Sequence, residues 1–398
     1  MVTRPDGLEL RGMRAADIDQ VCELLVRRGE DADEVDLRLM VADPDTGLDA
    51  AAVVVDGDRV VSTLMLLDET LHLGGIAIPV GQVDLVATDT GYEGRGLVRD
   101  LMEWAHQRSR ERGHLAQVMI GIPYFYRLFG YTYTIPMPAW RTAQAWPSAP
   151  EGVEVRRATE ADIPAMHALQ EQTAARADLR MPHSPACWRW VVARGVSHQL
   201  VAVRGDTIIG TGRYTHGEDA SLGELAAFDP DGALAVLAHC SEAEELVVNE
   251  RPGTIAGDAV EPYLEKVEDR DRDRQWYYAR IEDFGALLTH LGPLLASRLP
   301  ADTEPEHLLI SSFRSHVTFT IGPDGLTDLV SGRAEQAPGS KNGCGVPPDA
   351  LPSLVFGPHG ALGLERLMPD CYLAGKRDLM AALFPPVTSD VMTYYVDA

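Results

Sequence analysis

The stretch Gly91-Tyr92-Glu93-Gly94-Arg95-Gly96 sets three glycines between an apolar run, Val83 to Thr88, and a segment where Leu97, Leu101, Trp104, Ala105 and Arg108 recur at helical spacing. A strand, a tight turn and a helix are expected, with Gly113 just past the helix end. The free N–H groups at the start of such a helix, together with its dipole, attract an anion. Glycines let the backbone come close to a pyrophosphate, and Arg95 and Arg99 add positive charge. The spacing G-x-x-G-x-G is not the dinucleotide order G-x-G-x-x-G. It is not a P-loop either, because Leu97 and Val98 stand where lysine and a hydroxyl residue are required.

The turn needs a scaffold, and the following residues supply one. His114 to Gly121 reads as the next strand. "IPYFYRLFGYTYT" then gives a short helix, a stop at Gly130 and another strand. Each is one element of an α/β domain, but 398 residues exceed one ordinary core. A repeat accounts for part of the excess. "LELRGMRAADIDQVCELL" from Leu8 matches "VEVRRATEADIPAMHALQ" from Val153 at Glu9/Glu154, Arg11/Arg156, Asp17/Asp162 and Ile18/Ile163. "VVVDGDRVVST" from Val53 matches "VAVRGDTIIGT" from Val201, both read as hairpins. After Leu222 the second copy keeps a strand and a helix but lacks the glycine cluster. Residues 1–150 and 151–275 are therefore expected to be two copies of one α/β fold, joined through the proline-rich segment Pro136–Gly152, with the site lost in the second copy. Residues 276–398 read as a small α+β domain, with a hairpin turning at Pro323-Asp324-Gly325 and short helices after it.

Composition narrows the partners. Lysine and arginine number 35 against 60 acidic residues, a net charge of −25, which disfavours nucleic acid and either favours cationic partners or serves solubility alone, as in an acidic proteome. The five cysteines lack C-x-x-C spacing, and the histidines, His183 among them, lack metal spacing, so neither zinc nor a disulfide framework is expected. The N-terminus has no apolar signal segment and no run is long enough to span a membrane, so a soluble protein is expected, and the scattered cysteines suit a reducing cytoplasm. The mixed-sign run Glu268–Arg274 reads as a solvated segment and Gly339–Gly345 as a loop.

The order strand, glycine turn, helix, strand, short helix, strand resembles the acetyl-CoA-binding core of the GNAT acetyltransferases, with Gly94-Arg95-Gly96 in the turn. Gly91 stands where that family usually has Arg or Gln. "GRGLVRDLM" and "FYRLFGY" (Phe125 to Tyr131) sharpen the likeness to the enhanced intracellular survival (Eis) acetyltransferases of actinobacteria. That resemblance implies an active GNAT domain, a degenerate GNAT domain and a sterol-carrier-like α+β domain, assembled as a homohexamer. It implies acetyl-CoA as cosubstrate without a metal, and a primary amine acceptor: an aminoglycoside, a polyamine-like molecule or a lysine. By the same resemblance Tyr126 is the general acid and the terminal carboxylate of Ala398 the base. Ala398 stands where the family commonly ends in an aromatic residue, and Asp397 is a second candidate base. Cofactor contacts carry over to Val86, Ala87, Thr88, Gly94, Arg95, Gly96, Leu97, Val98, Arg99, Gly121 and Ile122. Read without the family, Tyr126 is a core aromatic. A protein that binds CoA without turnover, as a regulator or scaffold, is the alternative from a different class.

Overall fold

The computed structural model describes residues 2–217, 219–267, 274–333 and 343–392. Ala398, Asp397, residues 268–273 and residues 339–342 lie outside the described residues. The chain begins with strands β1 (Val2–Thr3) and β2 (Glu9–Gly12) and helices α1 (Ile18–Arg28) and α2 (Ala32–Ala42). A long antiparallel ribbon follows: β3 (Ala51–Asp56), β4 (Arg59–Leu73) and β5 (Ile76–Thr88). Its turns fall at Gly57, with φ +59°, and at Gly74-Gly75, with φ +54° and +86°, conformations that glycine alone adopts without strain. The apolar run Val83–Thr88 is thus the last part of a thirteen-residue strand. Then come α3 (Leu97–Glu111), β6 (Ala116–Met119) and β7 (Thr132–Pro136). Gly113, φ +74°, ends α3 as expected.

Two irregularities shape this sheet. The register of β4 against β5 slips between Thr63 and Met65, and there Leu85 takes φ +45°, a β-bulge. β6 runs parallel to β5 over Val80–Gln82 with Ala116–Val118, and the two strands part beyond that point. The bulge and the parting lie together, opening a gap at Asp84–Thr88.

The second copy contains β8 (Trp140–Thr142), β9 (Glu154–Arg157), α4 (Ile163–Ala174), β10 (Leu179–Met181), α5 (Pro185–Ala193), β11 (Ser197–Arg204), β12 (Thr207–Thr215), β13 (Ser221–Ala227), α6 (Pro230–His239), β14 (Val247–Asn249) and α7 (Ile255–Val260). Its sheet runs β8-β14-β13-β12-β11-β9. The repeated residues do the same work in both copies. Arg11 forks onto the Asp17 carboxylate at 2.6 and 2.9 Å, and Arg156 onto Asp162 at 2.7 and 2.8 Å. Each aspartate also accepts from a backbone N–H three residues earlier, Arg14 or Thr159, closing the helix start. The bulge recurs as well: β12 slips against β13 between Thr211 and Arg213, and Glu224 takes φ +55°.

The remaining elements are β15 (Trp276–Ile281), α8 (Phe284–His290), α9 (Gly292–Ser297), β16 (Glu306–Ser311), β17 (Ser315–Gly322), β18 (Gly325–Arg333), β19 (Gly343–Gly345), α10 (Leu351–Phe356), α11 (Gly360–Leu367), α12 (Arg377–Leu383) and β20 (Ser389–Val391). Gly343–Gly345, read from sequence as loop, is a strand beside β16. The single hairpin expected here is a three-stranded meander, because a second turn at Phe313 (φ +65°) precedes the Pro323-Asp324-Gly325 turn. β15 does not join this sheet. It lies antiparallel between β6 and β7, inside the first copy's sheet. β20 pairs with β10, which pairs with the far end of β4. One large core cluster accordingly spans Val80, Val118, Ile135 and Tyr277 of the first sheet and Leu287, Phe319 and Phe356 beyond residue 276.

Candidate active site

Two cavities meet at the gap between β5 and β6. The first, about 540 Å³, is lined by Val86, Ala87, Thr88, Gly94, Gly96, Leu97, Val98, Arg99, Ile122 and Tyr126. These are ten of the residues picked from sequence. Gly94 and Gly96, with φ +74° and +79°, face open space: a Cβ on either would meet no atom within 4 Å. No side chain caps the start of α3, and Leu97, Val98 and Arg99 of its first turn line this cavity, so the helix start meets the cavity with its first N–H groups uncapped by any side chain. The turn itself is braced by Asp89, whose carboxylate accepts from the Gly91 N–H at 3.0 Å and is paired with Arg59 at 2.8 Å. An uncapped helix start, left-handed glycines and a vacant approach suit a pyrophosphate. Arg95 is not in the lining; its guanidinium stacks on the Tyr92 ring, 4.6 Å from the centroid.

The second cavity, about 740 Å³, lies between the two copies. It shares Arg28, Val86, Ala87 and Ile122 with the first and adds Glu30, Asp33, Gln82, Asp84 and Gly121. From the second copy it takes Arg194, Thr215, His216 and Asp219. Gly121 therefore faces this cavity and the Tyr126 ring, where a Cβ would collide with that ring.

Tyr126 sits in a short 3-10 helix, Phe125–Phe129, and is 4% exposed. Phe125 and Tyr278 pack edge-on against its ring, at 5.1 and 6.1 Å between centroids. Burial, with some help from the nearby Asp84 charge, pushes its hydroxyl well above the ordinary tyrosine range, so it stays protonated. The loop before it is held by Tyr278, whose hydroxyl accepts from the Tyr124 N–H at 2.8 Å. Tyr124 needs holding, since φ +70° is strained for a non-glycine residue.

Asp84 was not singled out from sequence. It is the one charged residue in the apolar run Val83–Thr88, and a lone carboxylate in such a run was the available signal. Its Oδ1 accepts from the Leu85 N–H at 2.8 Å and its Oδ2 from Gln82 Nε2 at 2.7 Å. Burial, reinforced by Asp36 and Asp33, pushes the carboxyl up to about 7 against the pull of these two hydrogen bonds.

The second copy's equivalent ground is filled. Asp229 caps α6 by accepting from the Gly232 N–H at 3.1 Å, Pro230 occupies the first turn, and Arg204 pairs with Asp229 at 3.0 Å. The helix start presses on β12 so closely that a Cβ on Gly210 would lie 2.6 Å from the Gly232 carbonyl carbon. At its bulge Glu224 is buried against His183, 2.9 Å away. His183 is thus a hydrogen-bond partner of that carboxylate, and Cys187 is a buried thiol that burial pushes well above its usual range.

Residues 9–134 match the family model described as an acetyltransferase (GNAT) domain. The chain carries a GNAT acetyltransferase domain. No curated protein matches the sequence. Across nearly the whole chain the fold is similar to that of several solved structures. A probable N-acyltransferase from Enterococcus faecalis is 13% identical with TM-score 0.72, covering 98% of this chain and 100% of its own. A GCN5-related N-acetyltransferase from Kribbella flavida is 19% identical with TM-score 0.70, covering 98% and 100%. Eis1 from Mycobacterium abscessus is 18% identical with TM-score 0.60, covering 98% and 99%. Among the described residues no helix is long and apolar enough to cross a membrane.

Proposed function

We propose that this GNAT protein transfers an acetyl group from acetyl-CoA to a primary amine. The meeting of the two cavities at Val86, Ala87 and Ile122 carries the reading. One cavity offers an uncapped helix start and open glycines to a pyrophosphate. The other offers Glu30, Asp33, Asp84 and Asp219 to a cationic acceptor of the polyamine, aminoglycoside or lysine kind. Bound acetyl-CoA supplies the activated acetyl group as a thioester. The protein's part is to receive a proton from the attacking amine, to polarise the carbonyl and to protonate the departing sulfur. A C–N bond forms as the C–S bond breaks. The amine proton passes to a carboxylate, and the Tyr126 hydroxyl gives its proton to the thiolate. The backbone N–H of Val86, beside the Leu85 bulge, serves the oxyanion.

Two carboxylates compete for the base. The terminal carboxylate of Ala398 has the support of the Eis resemblance. Asp84 has that of its geometry: it lines the acceptor cavity beside the gap, and a carboxyl titrating near 7 is matched to general-base work at neutral pH. The test is CoA thiol release with acetyl-CoA and spermidine, an aminoglycoside or a lysine peptide, for the wild type, Asp84→Asn and a chain extended beyond Ala398. Release with acetylated amine is expected. CoA binding without release from any amine points to a regulator or scaffold. Loss in Asp84→Asn alone assigns the base to Asp84, and loss in the extended chain alone assigns it to the terminus.

A further inference from the structure

The neighbours of Asp84 lead out of the GNAT domain. Gln82 lies two residues earlier on the same face of β5 and is 2% exposed. Its Nε2 donates to Asp84 Oδ2 at 2.7 Å, and its Oε1 accepts from the Tyr277 hydroxyl at 2.8 Å. Tyr277 belongs to β15, is fully buried, and is absent from the lining of either cavity. We infer that Tyr277 is a positioning residue for acyl transfer: acting through Gln82, it fixes which side of the amide meets the Asp84 carboxylate.

The chemistry of the amide makes this necessary. While Asp84 is ionised it only accepts, and in that state Gln82 must turn its NH₂ toward Asp84 and its carbonyl away. The carbonyl then needs a donor, because a buried acceptor left unpaired is costly. Tyr277 is such a donor at every pH of interest, since burial holds its hydroxyl well above the ordinary range. Without that hydroxyl the amide is free to flip and present its carbonyl, which favours the protonated form of Asp84. Other charged and titratable groups around Asp84 are left in place by the change: Asp33 and Asp36 of α2, the neutral Tyr126 hydroxyl, and, along the same cavity, Arg28, Glu30, Arg194, His216 and Asp219.

The inference rests on Asp84 taking part in the reaction, but its test can be read without turnover. Aspartate labelled at the side-chain carboxyl carbon is incorporated into the full chain, and the signal lost in Asp84→Asn is followed through a pH titration. Tyr277→Phe keeps the ring and the packing. It is expected to move the Asp84 midpoint up by about one unit, the scale set by losing one hydrogen bond to a charged group. Gln82→Met is expected to shift it as well, and the double variant no further than Gln82→Met alone, because Tyr277 acts only through Gln82. An unmoved midpoint in Tyr277→Phe, or additive shifts in the double variant, overturns the inference. If the midpoints move as stated while Asp84→Asn turns over normally, the relay stands and the catalytic reading of Asp84 falls. With spermidine and acetyl-CoA, the acid limb of kcat/KM is expected to follow the same shift in Tyr277→Phe, with KM for acetyl-CoA unchanged.

Discussion

Tyr126→Phe removes one hydroxyl from a ring packed against Phe125 and Tyr278, so the fold and the first cavity should survive it. If Tyr126 protonates the leaving thiolate, kcat falls by about 10²–10⁴-fold. CoA affinity measured by calorimetry stays close to that of the wild type, since the contact is made in the transition state. Asp84 gives a second prediction, on stability. Its native carboxyl, at about 7, holds a proton more tightly than an unfolded aspartate at about 3.9. The fold gains from that proton below about pH 4 and loses the gain as pH rises through about 7. Asp84→Asn, neutral throughout, should therefore raise Tm near pH 8 and change it little near pH 4, as followed by calorimetric melts. That Gly94, Gly96 and Tyr126 would come together at one cavity was legible because motif and spacing are local. Asp84 was not, because its surroundings are built from α2, β15 and the second copy, all distant in sequence.

At the scale of elements, the two copies differ at one helix start. α3 begins at an uncapped Gly96 with open space before it, whereas α6 begins at Asp229, already engaged with Gly232 and Arg204 and pressed onto β12. Titration with CoA should give one site per chain, and Gly96→Leu should abolish it. A second site of similar affinity that survives Gly96→Leu would show that α6 can admit the ligand. The repeat was legible from Arg11/Asp17 and Arg156/Asp162, which turned out to be matching ion pairs. The meander at β16–β18 was read one strand short. Its first turn, Ser312-Phe313-Arg314, carries neither glycine nor proline, and Phe313 takes the left-handed conformation with no sequence cue.

On the scale of the whole molecule, the GNAT sheet is not made from residues 9–134 alone. β15 occupies the place between β6 and β7, with Tyr278 opposite Met119 on one side and Tyr133 on the other. A chain ending at residue 150 lacks that strand and leaves the edges of β6 and β7 unpaired. Such a fragment is expected to aggregate or to melt without a cooperative transition, in contrast to the full chain. A soluble fragment with a cooperative melt and undiminished CoA binding would show that β15 is dispensable. Nothing in the alternating pattern of Trp276–Ile281 says which sheet it joins, because period-two alternation marks a strand but not its neighbours.

The insertion of β15 also orders events during synthesis. About 145 residues separate Pro136, the end of β7, from Ile281, the end of β15. At 5–20 residues per second, the ribosome needs roughly 7–30 s to supply the missing strand. For that interval the nascent first domain carries β6 and β7 without their shared partner, and closure of the sheet is a non-local event of the slow kind. A slowed ribosome lengthens that interval, and with it the period in which the edges of β6 and β7 stand open to other chains.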